Sequence, residues 1–164
     1  MSIPRDYTIY ANFYTNRDYK GNLTLRDSNG FIVFGPVECL GRGTSDANNN
    51  YDHANWMLID ADTPTGTYYT SIGSILSPLN SYGPNPIIEL DPVGGNALLA
   101  ANNGRSGFLI HGGDPDTNAN DIWYPLRPTY GCIRLSNNNQ QALIAKIKSI
   151  SIEGLGILYV NNSL

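Results

Sequence analysis

His111, in Ile110-His111-Gly112-Gly113, and Cys132, in Thr129-Tyr130-Gly131-Cys132-Ile133-Arg134-Leu135, lie 21 positions apart, and both are bordered by glycine. A thiol becomes a strong nucleophile when a neighbouring group removes its proton, and histidine is the usual base. The chain has only two cysteines and two histidines in 164 residues, so such a pairing stands out. Gly131 lets the backbone approach a reacting carbonyl and leaves an oxyanion pocket unobstructed. The plainer reading of either residue alone is structural, and Cys39 reads that way, as a small buried hydrophobe.

The segments that must hold this pair read as strands. Tyr7, Ile9, Ala11 and Phe13 alternate with polar neighbours, the period-two pattern of a half-buried strand. Residues 23–25 and 31–34 flank Asp27-Ser28-Asn29-Gly30, whose Asn-Gly predicts a hairpin. Residues 41–55, rich in glycine, asparagine and aspartate, read as a long loop. Residues 56–59 and 67–70 read as strands joined through the turn Asp62-Thr63-Pro64-Thr65-Gly66. Residues 87–90 and 107–110 are short buried strands, the second running straight into His111. Ser136 caps a helix over 137–150, where Leu143, Ile144, Ile147 and Ile150 form one apolar face and Lys146 and Lys148 complement the dipole. Gly154 and Gly156 end it, and residues 157–160 form a last strand. The expected fold class is mainly β, sandwich- or barrel-like, with one principal helix at 137–150.

A hydrophobic fraction of 41% with 15% charged residues describes a globular chain. A formal charge of −4 supplies no basic footprint for nucleic acid, and no apolar run approaches the roughly 20 residues of a membrane helix. Met1-Ser2-Ile3-Pro4-Arg5-Asp6 lacks the regions of a secretory signal, so the chain is expected to stay inside, leave by another route or have lost its signal. No repeat or linker divides residues 1–164, which are expected to form one domain. Two cysteines without CxxC spacing suggest free thiols, neither a disulfide scaffold nor a zinc site.

With these residues in view, the chain resembles the L,D-transpeptidase catalytic domain, the YkuD-like family of peptidoglycan enzymes. That family carries a histidine, a loop, and then Ser/Thr-His-Gly-Cys. Here His111 is followed by residues 112–128 and then Thr129-Tyr130-Gly131-Cys132. Ile133-Arg134 resembles the family's Cys-Ile-Arg run, and Thr63-Pro64-Thr65-Gly66 resembles its Thr-Pro-Thr-Gly turn. The resemblance covers about residues 6–161. One position departs from it, since Tyr130 stands where the family has histidine.

The resemblance implies acyl transfer on peptidoglycan stem peptides in the periplasm or cell wall, without cofactor or metal. Cys132 would form the thioester, His111 would handle its proton, and the N–H groups of Gly131 and Cys132 would face the oxyanion. Arg134 is a candidate for a substrate carboxylate or a brace for its own loop. Tyr130 and Thr129 would line the pocket, and the carbonyl of Gly112 or Gly113 would set the imidazole tautomer. Carboxypeptidase or D-amino-acid exchange activity, which would suit an antibacterial effector with a delivery or immunity partner, is an alternative. A non-catalytic wall-binding module on the same fold is another. The loop 114–121 alternates acidic and amide residues as a calcium loop does, but Ala119 occupies the position that requires glycine, so a solvated loop is expected. Trp123-Tyr124-Pro125 either covers the substrate or packs on the domain, and His53 reads as an exposed loop residue.

Overall fold

The computed structural model describes residues 4–44, 56–57 and 60–164. Among them one sheet holds β1 (Tyr7–Asn12), β2 (Gly21–Asp27), β3 (Ile32–Cys39), β4 (Gly66–Ile72), β5 (Ile88–Gly94), β6 (Leu109–His111), β7 (Ile133–Arg134) and β8 (Gly156–Asn161). The spatial order is β3-β2-β1-β8-β4-β5-β6-β7. β1 with β8 and β6 with β7 run parallel, and the remaining neighbours are antiparallel. The outer strands approach each other: Leu40, just past β3, bonds through its N–H to the carbonyl of Arg134 on β7 at 3.0 Å, and the reverse bond is 2.9 Å. The sheet is therefore a near-barrel, in line with the mainly β expectation.

Local chemistry explains the elements that the sequence announces. Asp27 accepts from the N–H of Asn29 and Phe31 at 2.9 and 3.0 Å. Gly30 takes φ +85° to close that hairpin. The alternation in β1 buries Tyr7, Ile9 and Ala11 in a core shared with Leu23, Leu25, Leu158 and Val160. The helix expected at 137–150 covers Asn137–Ile150, with Ser136 Oγ accepting from Asn139 N at 3.1 Å. It is α3 in chain order, and its Leu143, Ile144 and Ile147 enter the same core as Ile110 and Ile133.

Two shorter helices, α1 (Leu79–Tyr82) and α2 (Gly95–Asn102), were not legible in the sequence. In α2 the buried side chains are Ala97 and Ala100, whereas Leu98 and Leu99 are exposed. Small residues face inward because a Cβ at Gly66 of β4 would already lie 3.2 Å from that of Ala97. The usual apolar periodicity is thus inverted. Trp56 and Met57 occupy a turn instead of the expected strand, and residues 58–59 and His53 lie outside the described residues. β5 continues beyond residue 90 to Gly94, with Pro92 opposite Tyr68 beside a register shift, a bulge that accommodates the missing donor.

Replacing the fully buried Ile147 by alanine should lower the free energy of unfolding by about 2–5 kcal/mol. Ile152→Ala, at a side chain that is 98% exposed, should change it by no more than about 0.5 kcal/mol. Urea titrations of the two variants check this contrast.

Candidate active site

The pairing of β6 with β7 sets Ile110 beside Ile133 and His111 beside Arg134. Successive strand residues point to opposite faces. Since Ile110 and Ile133 are fully buried in the core, Leu109, His111, Cys132 and Arg134 belong to the other face. All four line one cavity of about 750 Å³, whose wall also includes Ser81, Tyr82, Trp123, Arg127, Thr129 and Tyr130. The structure thus brings Cys132, His111, Arg134, Thr129 and Tyr130 to a single cavity. Gly112 and Gly131 adjoin it through the backbone.

His111 is 3% exposed, and its Nδ1 lies 2.6 Å from the carbonyl oxygen of Gly112. In the neutral imidazole Nδ1–H donates to that oxygen, which leaves Nε2 as an acceptor. Burial pushes the imidazole pKa down to about 4; the Gly112 bond opposes the shift and the Arg134 charge adds to it. Burial pushes the Cys132 thiol up to about 11, against a hydrogen bond from the Leu109 backbone and the charges of Arg134 and Arg105. The sulfur also donates to the Gly107 carbonyl at 3.5 Å. Near neutral pH both groups rest uncharged.

Neighbours fix the histidine in place. The Tyr82 ring meets it edge-on with centroids 5.1 Å apart. Arg134 Nη1 donates to the same Gly112 carbonyl at 2.8 Å, to Ser81 O at 3.3 Å and to Gly113 O, while Nε donates to Arg127 O at 2.8 Å. The guanidinium therefore braces the turn that follows β6, and its Nη2 makes no hydrogen bond among the described residues. Gly113 (φ +90°) donates its N–H to Asn137 Oδ1 at 2.7 Å. A side chain at Gly112 would collide with Asn137, and one at Gly113 with Ser81 and Gly83. The glycine pair is required by this close packing.

The cysteine loop is built in a similar way. Thr129 Oγ1 donates to Cys132 O at 2.8 Å and accepts from Gly131 N at 3.2 Å, so the Gly131 N–H is engaged inside the loop. Gly131 has φ +107°, and the Arg105 guanidinium stands where a Cβ would project. Thr63, from the Thr-Pro-Thr-Gly turn, donates to Gly131 O at 2.8 Å. Arg105 donates to Asp62 O at 3.0 Å, Ala61 O at 3.1 Å and Trp56 O. Tyr130 is 73% exposed at the cavity mouth. Tyr82, Arg105 and Asn137 were not singled out in the sequence. Each acts through contacts with residues far along the chain, and only the polar types of Arg105 and Asn137 next to the key motifs hinted at a role.

In the loop after Gly113, Arg127 lies 3.6 Å from Asp114 and 3.8 Å from Asp116, and Asp116 Oδ1 accepts from Asn118 N at 3.0 Å. Among the described residues no group of three histidine, cysteine or acidic side chains is arranged to hold a metal ion. Trp123 lines the cavity with the Arg42 guanidinium 4.9 Å from its ring, and Lys20 Nζ reaches Tyr124 O at 2.7 Å. The aromatic segment is thus both packed down and exposed to the site. Both cysteines are free thiols, and Cys39 is buried. No helix among the described residues is long and apolar enough to cross a membrane.

A fold of this kind, with a cysteine and a histidine on one face of a short parallel strand pair, defines a class that comparison with known families makes specific. The model of the YkuD family, described as the L,D-transpeptidase catalytic domain, matches residues 39–152, and the chain belongs to that family. Among solved structures, the chain is similar to the helical cell shape determining protein Pgp2 from Campylobacter jejuni at 20% identity and a TM-score of 0.48. That match covers 94% of this chain and 48% of Pgp2, and the K307A mutant of Pgp2 matches with the same identity and TM-score. The chain thus spans about half the length of these proteins. No curated protein matches the sequence.

The lowered histidine pKa makes a prediction about stability. An imidazole that titrates near 4 when folded and near 6.5 when unfolded binds its proton more readily in the unfolded chain. Stability should therefore fall as pH drops from about 6.5 to 4, by about 3 kcal/mol from this group alone. Denaturant midpoints across that range should show a steeper acid loss for the parent protein than for His111→Gln.

Proposed function

We propose that this chain is a cysteine-dependent acyltransferase acting on peptidoglycan stem peptides at the cell wall. The single observation that carries the proposal is the shared face of β6 and β7, which directs Cys132 and a neutral His111 into one cavity. Family membership supplies the substrate class.

In the proposed reaction the Cys132 sulfur attacks a peptide carbonyl while His111 Nε2 takes the thiol proton. A pair that rests uncharged suits this concerted transfer, because neither ion has to be stabilised before substrate arrives. The C–N bond then breaks, the imidazolium returns the proton to the departing amine of a D-amino acid, and a thioester remains on Cys132. An incoming amine gives a cross-linked or exchanged product, and water gives a shortened stem. With the Gly131 N–H engaged by Thr129, the Cys132 N–H is the donor proposed for the oxyanion, a contribution of about 3 kcal/mol. Arg134 Nη2 is proposed to meet a substrate carboxylate, and Tyr130 to offer its hydroxyl at the mouth.

Incubation with stem tetrapeptides, followed by mass spectrometry, tests the reading. A thioester adduct and cross-linked dimers would support transpeptidation, and released D-alanine without dimers would support carboxypeptidation. Binding without an adduct would identify a wall-binding module and refute the proposal. Cys132→Ala should abolish turnover, and His111→Gln should reduce it by about 10²- to 10⁴-fold. Because only the neutral imidazole accepts a proton, kcat/KM should fall as pH drops through about 4, well below the ordinary histidine range. An acid limb near 6.5 would contradict the buried-base account.

A further inference from the structure

The segment 122–124 that helps to wall the candidate site has a second cavity, of about 470 Å³, beside it. Tyr14, Tyr19, Lys20, Glu38 and Ile122 line that cavity. Ile122 faces it while the adjacent Trp123 faces the cavity of Cys132, so one stretch of chain borders both. Tyr14 and Tyr19 are 44% and 47% exposed, with ring centroids 5.6 Å apart and planes inclined at 63°. With Ile122 they make an apolar floor that the domain leaves half open.

The rim of this floor is polar and electrically balanced. Lys20 Nζ donates to Glu38 Oε1 at 2.8 Å and to Tyr124 O at 2.7 Å, which leaves its third N–H free. Among the described residues neither Glu38 Oε2 nor either tyrosine hydroxyl has a hydrogen-bond partner. The cleft is also held in shape. Tyr19 N donates to Asn16 O at 3.3 Å, and Arg17 Nη1 ties the same loop to Thr63 O at 2.9 Å. Asp18 pairs with Arg42 Nε at 2.5 Å, and that guanidinium lies 4.9 Å from the Trp123 ring. The tyrosine cleft and the wall of the candidate site thus share one braced framework.

Resting on the reading that the substrate is a peptidoglycan stem, we infer that this cleft binds a pyranose ring of the glycan strand from which the stem hangs. The lining selects that chemistry by exclusion. An ionic ligand gains little where Lys20 and Glu38 already neutralise each other. A wholly apolar ligand would strip water from the free N–H, carboxylate oxygen and hydroxyls without replacing it. Rings inclined at 63° cannot sandwich a flat aromatic ligand. A puckered sugar offers C–H groups to the ring faces and hydroxyls to the rim, and its size suits a cavity within the usual range of about 300–1,000 Å³. The reach also fits: an extended stem spans about 3.3–3.6 Å per residue, so two or three residues cross a single chain segment.

The test measures calorimetric binding of an N-acetylglucosamine tetramer to Cys132→Ala protein, beside kcat/KM of the parent protein for a free stem tetrapeptide and for the same stem carried on its disaccharide. The tetramer should bind, and the disaccharide should raise kcat/KM about tenfold. Tyr14→Ala/Tyr19→Ala should remove both effects and leave the free tetrapeptide unchanged. Tyr14→Phe/Tyr19→Phe, which keeps the rings, should retain tetramer affinity within about threefold. No tetramer binding, binding unaltered in the alanine variant, or binding of a proline-rich peptide in place of the saccharide would overturn the inference. Tetramer binding lost in the alanine variant, with no thioester formed from any stem, would refute acyl transfer but keep the saccharide site. Thioester formation at equal rates from both stems, without tetramer binding, would do the reverse.

Discussion

The parallel pairing of β6 with β7 is the constraint on which the rest of the site depends. A parallel ladder only two pairs long is weak on its own, because short strands contribute few bonds and parallel ones are slightly less stable per residue. The pairing is reinforced from both sides. Leu40 clamps Arg134 through two backbone bonds, and Leu135 N donates to His111 O at 2.9 Å. The Arg134 guanidinium, buried at 5% exposure, is compensated by carbonyls from three separate segments. Removing that side chain would leave several inward-facing carbonyls without donors, a larger loss than a single surface bond. Closing the near-barrel and fixing the site are therefore one structural event.

The Gly112 carbonyl joins the two residues of that pairing that matter most for chemistry. It accepts from His111 Nδ1 and from Arg134 Nη1, so one oxygen sets both the tautomer of the base and the position of the guanidinium. Burial then keeps the thiol and the imidazole uncharged. In the proposed reaction their proton moves only when a carbonyl is present to receive the sulfur. Tyr130, in place of the family's usual histidine, stays outside this buried network. At 73% exposure it shapes the entrance more than the proton path.

Legibility in the sequence followed the range of the interactions. The Asp27–Gly30 hairpin, the Ser136 cap and the α3 apolar face were readable because each arises within a few residues. α2 was hidden because its inward face is alanine packed against glycine, which inverts the usual signal. The residues proposed for the site were readable by type, since rare cysteine and histidine flanked by glycine are unusual. Their supports were not: Tyr82 reaches His111 from a four-residue helix, and Arg105 fills the space beside Gly131 from the end of α2.

By itself, the sequence determined which chemical groups were on offer and how the chain turns locally. Strand alternation, caps and positive-φ glycines act over a few bonds, and the motif around His111 and Cys132 identified the family. The tertiary structure decided which face each group points to and what protonation state burial imposes on it. Those outcomes depend on strand register and on desolvation, and both are properties of the assembled sheet. No short stretch of chain contains them.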